Sequence, residues 1–256
     1  MTKLWALAGA LLGVMLGLLV FAPAAWLSVA TAAFTGDQVQ LAEARGTVWR
    51  GNAMLVLTGG EGSQDALALP GRVDWELGLT LRGLQLRLRA ICCTPLPLEM
   101  SLKPGWRKLV LSVADGNSEW PAGVLAGLGA PWNTIQPQGL LQFNSQGLSV
   151  EWVDGRASVA GSARLDALGM SSRLATQRPI GSYRLTLLGS ANQGPPLLQV
   201  QTLEGSLNLT GSGKWTGSHW SFRGEANAAP GSEQALGNLL NIVGRRQGAS
   251  SVISLG

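Results

Sequence analysis

Charge is the scarcest ingredient of this chain. Lys3 and Asp37 enclose a stretch with no charged side chain, and Asp, Glu, Lys and Arg together make up 13% of the 256 residues. Histidine occurs once, tyrosine once, phenylalanine four times and cysteine twice. Each shortage closes a route. One histidine and one adjacent cysteine pair leave no metal-ligand cluster. His219, in the turn-like string Gly217-Ser218-His219-Trp220, reads as a solvated turn residue, and no Ser, His and Asp arrangement can be built around it. Cations are scattered singly apart from Arg245-Arg246 and the alternating Arg82, Arg87 and Arg89. Without a basic run carrying interleaved aromatics, nucleic-acid binding has little support. Gly211-Ser212-Gly213-Lys214 lacks the Walker spacing and a following helix. Asp74 and Glu76 share the polar face of one strand, a solvated face by default. The expectation is a non-enzyme with no catalytic residue, no cofactor, no metal and no nucleic-acid partner.

The two cysteines, Cys92 and Cys93, are neighbours in the chain. They cannot close an ordinary loop, because adjacent side chains on a strand point to opposite faces. Two free thiols with one of them buried is the expected state. A strained vicinal disulfide in an oxidising compartment is the alternative.

The charge gap at the N-terminus is filled by apolar and small residues. Leu4 to Val20 is unbroken, and at about 1.5 Å per residue Leu4 to Ala22 spans roughly 28 Å, close to a hydrocarbon core of about 30 Å. Trp5 and Trp26 lie near its ends, where amphipathic rings prefer the interface. Lys3 precedes the run and the next Lys or Arg is Arg45. By the positive-inside rule the N-terminus is cytoplasmic and the rest is exported. Residues 1–28 are thus expected to be a cytoplasmic stub and single transmembrane anchor, with 29–256 an exported domain. A cleaved signal peptide competes, through the small-x-small strings Ala22-Pro23-Ala24 and Ala30-Thr31-Ala32, although its apolar region usually runs only about 7–15 residues. No second stretch approaches spanning length.

The exported part alternates with period two. Val73, Trp75, Leu77, Leu79 and Leu81 interleave with Asp74, Glu76, Gly78, Thr80 and Arg82. The pattern resumes out of phase after Gly83, at Leu84, Leu86 and Leu88. Two strands joined by a tight Arg82-Gly83 turn and one long strand bulged at Gly83 both explain this. The same alternation recurs at Leu109 to Val113, Leu148 to Trp152, Tyr183 to Leu187, Leu207-Leu209 and Trp220-Phe222. The expected fold is mainly β: a large antiparallel, Gly- and Trp-rich sheet with one buried face, and a few short helices. One domain of two similar halves is expected, with the break near 115–140. Helices are expected over Ser118 to Leu128 and from a Ser232 cap to Gly244, with Arg245 and Arg246 at the C-terminal end of the second. Ten tryptophans are many. Several sit beside glycine, and a glycine on one strand leaves room for a ring from the next.

Specific strings go further. Gly46-Thr47-Val48-Trp49-Arg50-Gly51-Asn52-Ala53 follows the apolar run. Leu69-Pro70-Gly71 then leads to Val73-Asp74-Trp75-Glu76-Leu77. Pro179 to Tyr183, Gly205 to Leu209, Trp220 to Ala226 and the Glu233 to Gly244 helix follow. Over nearly the whole chain this resembles the type II secretion system protein N family, with Gly46, Thr47, Trp49 and Gly51 as its signature. The resemblance implies a single-span accessory protein of the inner membrane, with a periplasmic β domain, that helps export folded proteins across the outer membrane of a Gram-negative cell. It implies other inner-membrane secretion components as partners and structural roles for the signature residues. The Cys92-Cys93 pair is outside the family pattern. The alternative is a membrane-tethered module that binds or transfers lipid, prompted by the Leu-rich strands 73–88 and the tryptophans.

Overall fold

The computed structural model describes residues 2–154, 156–189, 194–216, 219–248 and 250–256, without the side chains of residues 2–8, Leu16 and Leu255. Two helices open the chain, α1 (Thr2–Val20) and α2 (Ala24–Thr35). Strands β1 (Val39–Gly46), β2 (Arg50–Thr58), β3 (Ala66–Ala68), β4 (Val73–Thr80), β5 (Gly83–Ala90), β6 (Leu98–Gly105), β7 (Lys108–Val113) and β8 (Gly116–Pro121) come next. A 3-10 helix (Ala122–Leu128) and the one-turn α3 (Trp132–Ile135) precede the two longest strands, β9 (Gln138–Val153) and β10 (Arg156–Ser171). Then come β11 (Gly181–Leu188), β12 (Leu197–Gly205), β13 (Leu207–Trp215), β14 (Trp220–Ala228), α4 (Glu233–Val243), β15 (Arg245–Gln247) and β16 (Ser250–Leu255).

All of these strands belong to one antiparallel sheet, in the order β1-β2-β4-β5-β6-β7-β9-β10-β11-β12-β13-β14-β16-β15, with β3 beside β2 and β8 beside β9. The alternation at 73–88 resolves into a hairpin, since Thr80 pairs with Gly83 and Leu81-Arg82 forms the turn. Cross-strand register then sorts the side chains into rows. Leu79, Leu84, Leu102, Leu111, Val150 and Val159 form one apolar row across β4, β5, β6, β7, β9 and β10. Gly78, Gln85, Ser101, Ser112 and Ser149 form the adjacent row on the opposite, polar face.

The apolar face is covered at both ends of the sheet. At the β1 end, α2 lays Ala24 and Leu27 against Ala53 and Trp75. Beside it, Leu69, Val73, Ala90 and Cys93 pack with Trp120 and Val124. At the β16 end, α4 buries Leu236, Leu239 and Leu240 over Tyr183, Leu207 and Ala226. Each such leucine contributes about 1.5–3 kcal/mol. Its sequence period is the helical one, with apolar residues at 236, 239, 240 and 243. The middle of the face has no such cover: Leu79 is 68% exposed, Leu109 and Trp152 are at 37% and 36%, and the other row members are half-buried.

Two expectations need correcting, and a third is not shown. Among the described residues no helix is long and apolar enough to cross a membrane. The transmembrane segment read over Leu4 to Ala22 is therefore not shown, and α1 itself stops at Val20. Pro23 supplies the reason, since it disfavours helical geometry at Ala22 and starts a second helix as its N-cap. The helix expected over Ser118 to Leu128 begins only at Ala122. Ser118–Pro121 is instead the end of β8, where the Trp120 row partner is Leu141. The cysteines are not free thiols: Cys92 and Cys93 are joined in a vicinal disulfide, with Cys93 buried. The opposite-faces rule does not apply there because the pair lies in a turn after Ala90, where the Cys93 and Thr94 amides donate to the Ala90 carbonyl. The helix ending at Gly244 is present as expected, but Ser232 makes no side-chain cap bond and Arg245 and Arg246 enter β15.

Candidate functional site

The signature string folds into the β1–β2 hairpin. Gly46 pairs with Gly51, and the turn closes through the Thr47 amide to the Arg50 carbonyl at 2.8 Å and the Arg50 amide to Thr47 Oγ1 at 3.1 Å. Gly46 has φ +92, and a Cβ there would lie 2.5 Å from the Arg50 carbonyl oxygen. A Cβ on Gly51 would lie 2.5 Å from Trp75 Cζ2. Gly51 is Trp75's cross-strand partner, so the glycine makes the space that the ring fills. Trp75 is 3% exposed and its indole N–H donates to the Val48 carbonyl at 3.1 Å. Trp49 turns the other way: its Nε1 donates to the Leu19 carbonyl at 2.8 Å, and the Val48 amide donates to the Ala22 carbonyl. Gly46, Thr47, Trp49 and Gly51 build a turn that fixes the last turn of α1 to the sheet.

A cavity of about 770 Å³ opens on the polar face beside this hairpin. Its floor is a charge ladder set by strand register: Arg50 opposite Glu76, Glu76 opposite Arg87, Arg87 opposite Glu99. Arg50 and Glu76 approach to 3.6 Å, and Arg87 and Glu99 to 2.8 Å. Asn52, Asp74 and Arg89 form the next row. Thus Asp74 and Glu76 do share one face, as their spacing predicts, and that face lines the cavity. Glu76, Arg87 and Glu99 are about half exposed and Arg50 more so, so each pair contributes roughly 0–1 kcal/mol to stability.

The remaining sequence candidates do not converge here. His219 is exposed at the start of β14's turn, where its carbonyl accepts from Thr216 Oγ1 at 2.8 Å. Gly217 and Ser218 lie outside the described residues. Gly211 to Lys214 lies within β13, and Gly211 and Gly213 make room for the Phe222 ring. Leu4, Val20 and Ala22 belong to or follow α1, and of these Ala22 is buried while Val20 is 55% exposed. Two features escaped sequence reasoning. Arg72 ties β1 to β2, its Nε donating to Asn52 Oδ1 at 2.6 Å and its Nη1 lying 3.3 Å from Glu43 Oε2. Asp166 and Arg184 form a bidentate pair at 2.7 Å, which holds the Asp166 carboxyl below its ordinary range. Register alone places them opposite each other. Burial pushes the Tyr183 hydroxyl up, and among the described residues that hydroxyl has no hydrogen-bond partner. No group of three or more metal-binding side chains occurs among the described residues.

The family model for "Type II secretion system (T2SS), protein N" matches residues 37–253. Comparison with curated proteins and with solved structures finds no match.

Proposed function

The chain belongs to the type II secretion system protein N family, and from that premise we propose that it is an accessory, non-enzymatic component of the inner membrane. In this reading the N-terminus is cytoplasmic, α1 sits in the membrane and the sheet lies in the periplasm. The carrying observation is the family match over 37–253, which begins just after the two N-terminal helices. The exposure of Leu11, Leu12, Val14, Met15, Leu18, Leu19 and Val20 supports the placement of α1, since these side chains find no cover on the sheet. The partners are other inner-membrane secretion proteins, and the charge ladder at Arg50, Glu76, Arg87 and Glu99 supplies a docking surface of mixed charge. Affinity purification of the full chain from detergent-solubilised membranes tests this. Recovery of secretion-platform proteins, reduced by Arg87→Glu, is the expected result. A purification that recovers no secretion component overturns it.

One observation favours a second reading, in which the sheet also holds lipid. The row Leu79, Leu84, Leu102, Leu111, Val150 and Val159 lies outside all three buried clusters, and an uncovered apolar strip of this kind is a binding surface. Mass spectrometry of gently extracted protein should then show bound phospholipid, and its absence would remove this reading.

A further inference from the structure

Strand register brings one set of hairpin tips into line. Leu84 pairs with Leu102, which carries the Leu81-Arg82 turn to the level of Pro104-Gly105. Gly105 pairs with Lys108, so Trp106-Arg107 forms the next turn. Lys108 pairs with Val153, which sets the β9 end beside it. The alignment is closed by Arg107 Nε donating to Asp154 Oδ1 at 2.7 Å. The residues that these tips present are unlike those of an ordinary solvated turn. Leu81 is fully exposed, Trp106 is 94% exposed, and Trp152 and Val153 are 36% and 38% exposed. Cations sit among them: Arg82, Lys103, Arg107, Lys108 and Arg156, against Glu151 and Asp154. Among the described residues Arg82 and Arg156 take part in no salt bridge.

The β1–β2 hairpin points the same way. Arg50 pairs with Glu76, four positions short of Thr80 on β4, so Trp49 lies roughly 13 Å behind Leu81 on the same rim. That is the residue whose indole N–H holds the Leu19 carbonyl of α1. The apolar helix therefore leaves the sheet from the side that carries the exposed Leu and Trp tips.

We propose that this rim, Leu81, Arg82, Trp106, Arg107, Trp152 and Arg156, docks on the surface of an anionic phospholipid bilayer. Tryptophan at a tip, with its apolar body and polar N–H, suits the interfacial layer. Arginines beside it meet phosphate and add an attraction that depends on anionic lipid and falls with salt. The occupant follows from the charge of the rim, five cations to two carboxylates, and from its continuity with the end of α1. The inference rests on the placement of α1 in the membrane and adds an orientation: strands standing tip-down, with the polar-face cavity open to the side.

The test uses the full chain with vesicles of phosphatidylcholine and phosphatidylglycerol whose acyl chains are brominated. Flotation reports association, and tryptophan quenching reports depth. Trp106→Phe isolates the contribution of one ring, and at 94% exposure that change leaves the fold intact by circular dichroism. The expected result is a Trp106 component that is quenched, with the quenching reduced in neutral vesicles and reduced by Arg82→Gln with Arg156→Gln. A chain that floats while its Trp106 component stays unquenched overturns the rim and leaves α1 in the membrane. A chain that does not float overturns both.

Discussion

The two stretches of sheet on either side of β10 carry the same two-residue alternation, yet only one is closed. Over β11 to β16 the apolar face meets α4, and Leu236, Leu239 and Leu240 are all at 2% exposure or less. Over β4 to β9 that cover stops at Val73, Trp75 and Leu88, which pack with α2, Trp120 and Val124, and the row from Leu79 to Val150 joins no buried cluster and stays half-buried or exposed. The residues packed with α4 include Ala167 and Ala226 beside the larger Ile180, Tyr183 and Leu207. The bare stretch has leucine and valine at the matching places. The same alternation therefore sets which face is apolar, while what covers that face depends on whether a helix elsewhere in the chain returns to it.

The largest break in that contrast should come from trimming each side in turn. Leu240→Ala should cost about 3 kcal/mol in denaturant unfolding, through lost burial and the cavity left under α4. Leu84→Ala, on the bare row, should cost less than about 1 kcal/mol. A Leu84 loss as large as the Leu240 loss would mean that the row is covered after all. Next, Gly51→Val should lower stability by roughly 2–3 kcal/mol and free the α1 junction, because the new Cβ meets the Trp75 ring and the Arg45 carbonyl at 2.5 Å. Gly78→Ala in the neighbouring strand meets nothing within 4 Å and should leave the melting temperature nearly unchanged.

The smallest expected effect concerns pH. The Arg184 guanidinium lowers the Asp166 carboxyl below its usual 3.8. The folded chain therefore binds this proton less readily than the unfolded one. The contribution is present above the unfolded value and is lost as pH falls through the folded one. The stability gap between the wild type and Asp166→Asn should be constant above about pH 4 and narrow as pH falls below it. Parallel curves over that range would remove the pair from the account. Glu99→Gln, in a pair exposed at 58% and 51%, should change stability less.

The sheet was legible because alternation is local. Val73 to Leu88 announces a strand pair, and so do Leu109 to Val113, Tyr183 to Leu187 and Trp220-Phe222. The α4 helix showed in its 3–4 spacing and Gly244 stop. What failed to show depended on partners far along the chain. Ser118–Pro121 looks like a helix start, but the Glu119 amide donates to the Cys93 carbonyl, and β9 offers a free flank for pairing. Gly127 reads as a weak helix residue, whereas a Cβ there would lie 2.3 Å from the Leu57 carbonyl oxygen. The disulfide stood only as the alternative to free thiols because the rule applied was that of a strand and the residues form a turn. The charge ladder was half visible. Asp74 and Glu76 fall on one face by spacing, but Arg50, Arg87 and Glu99 join them only through register.

The strand order has a consequence for how the chain reaches this shape. No two paired strands are separated by more than one other in sequence, and the strands passed over are the short or flanking β3, β8 and β15. Each new strand finds its template already beside it, so little loop entropy is spent before the next ladder of hydrogen bonds forms. A polypeptide delivered N-terminus first can therefore zip up as it emerges, one hairpin at a time. The growing edge waits longest after β7, whose partners are residues 149–153 of β9, and after β14, whose partner β16 begins at Ser250.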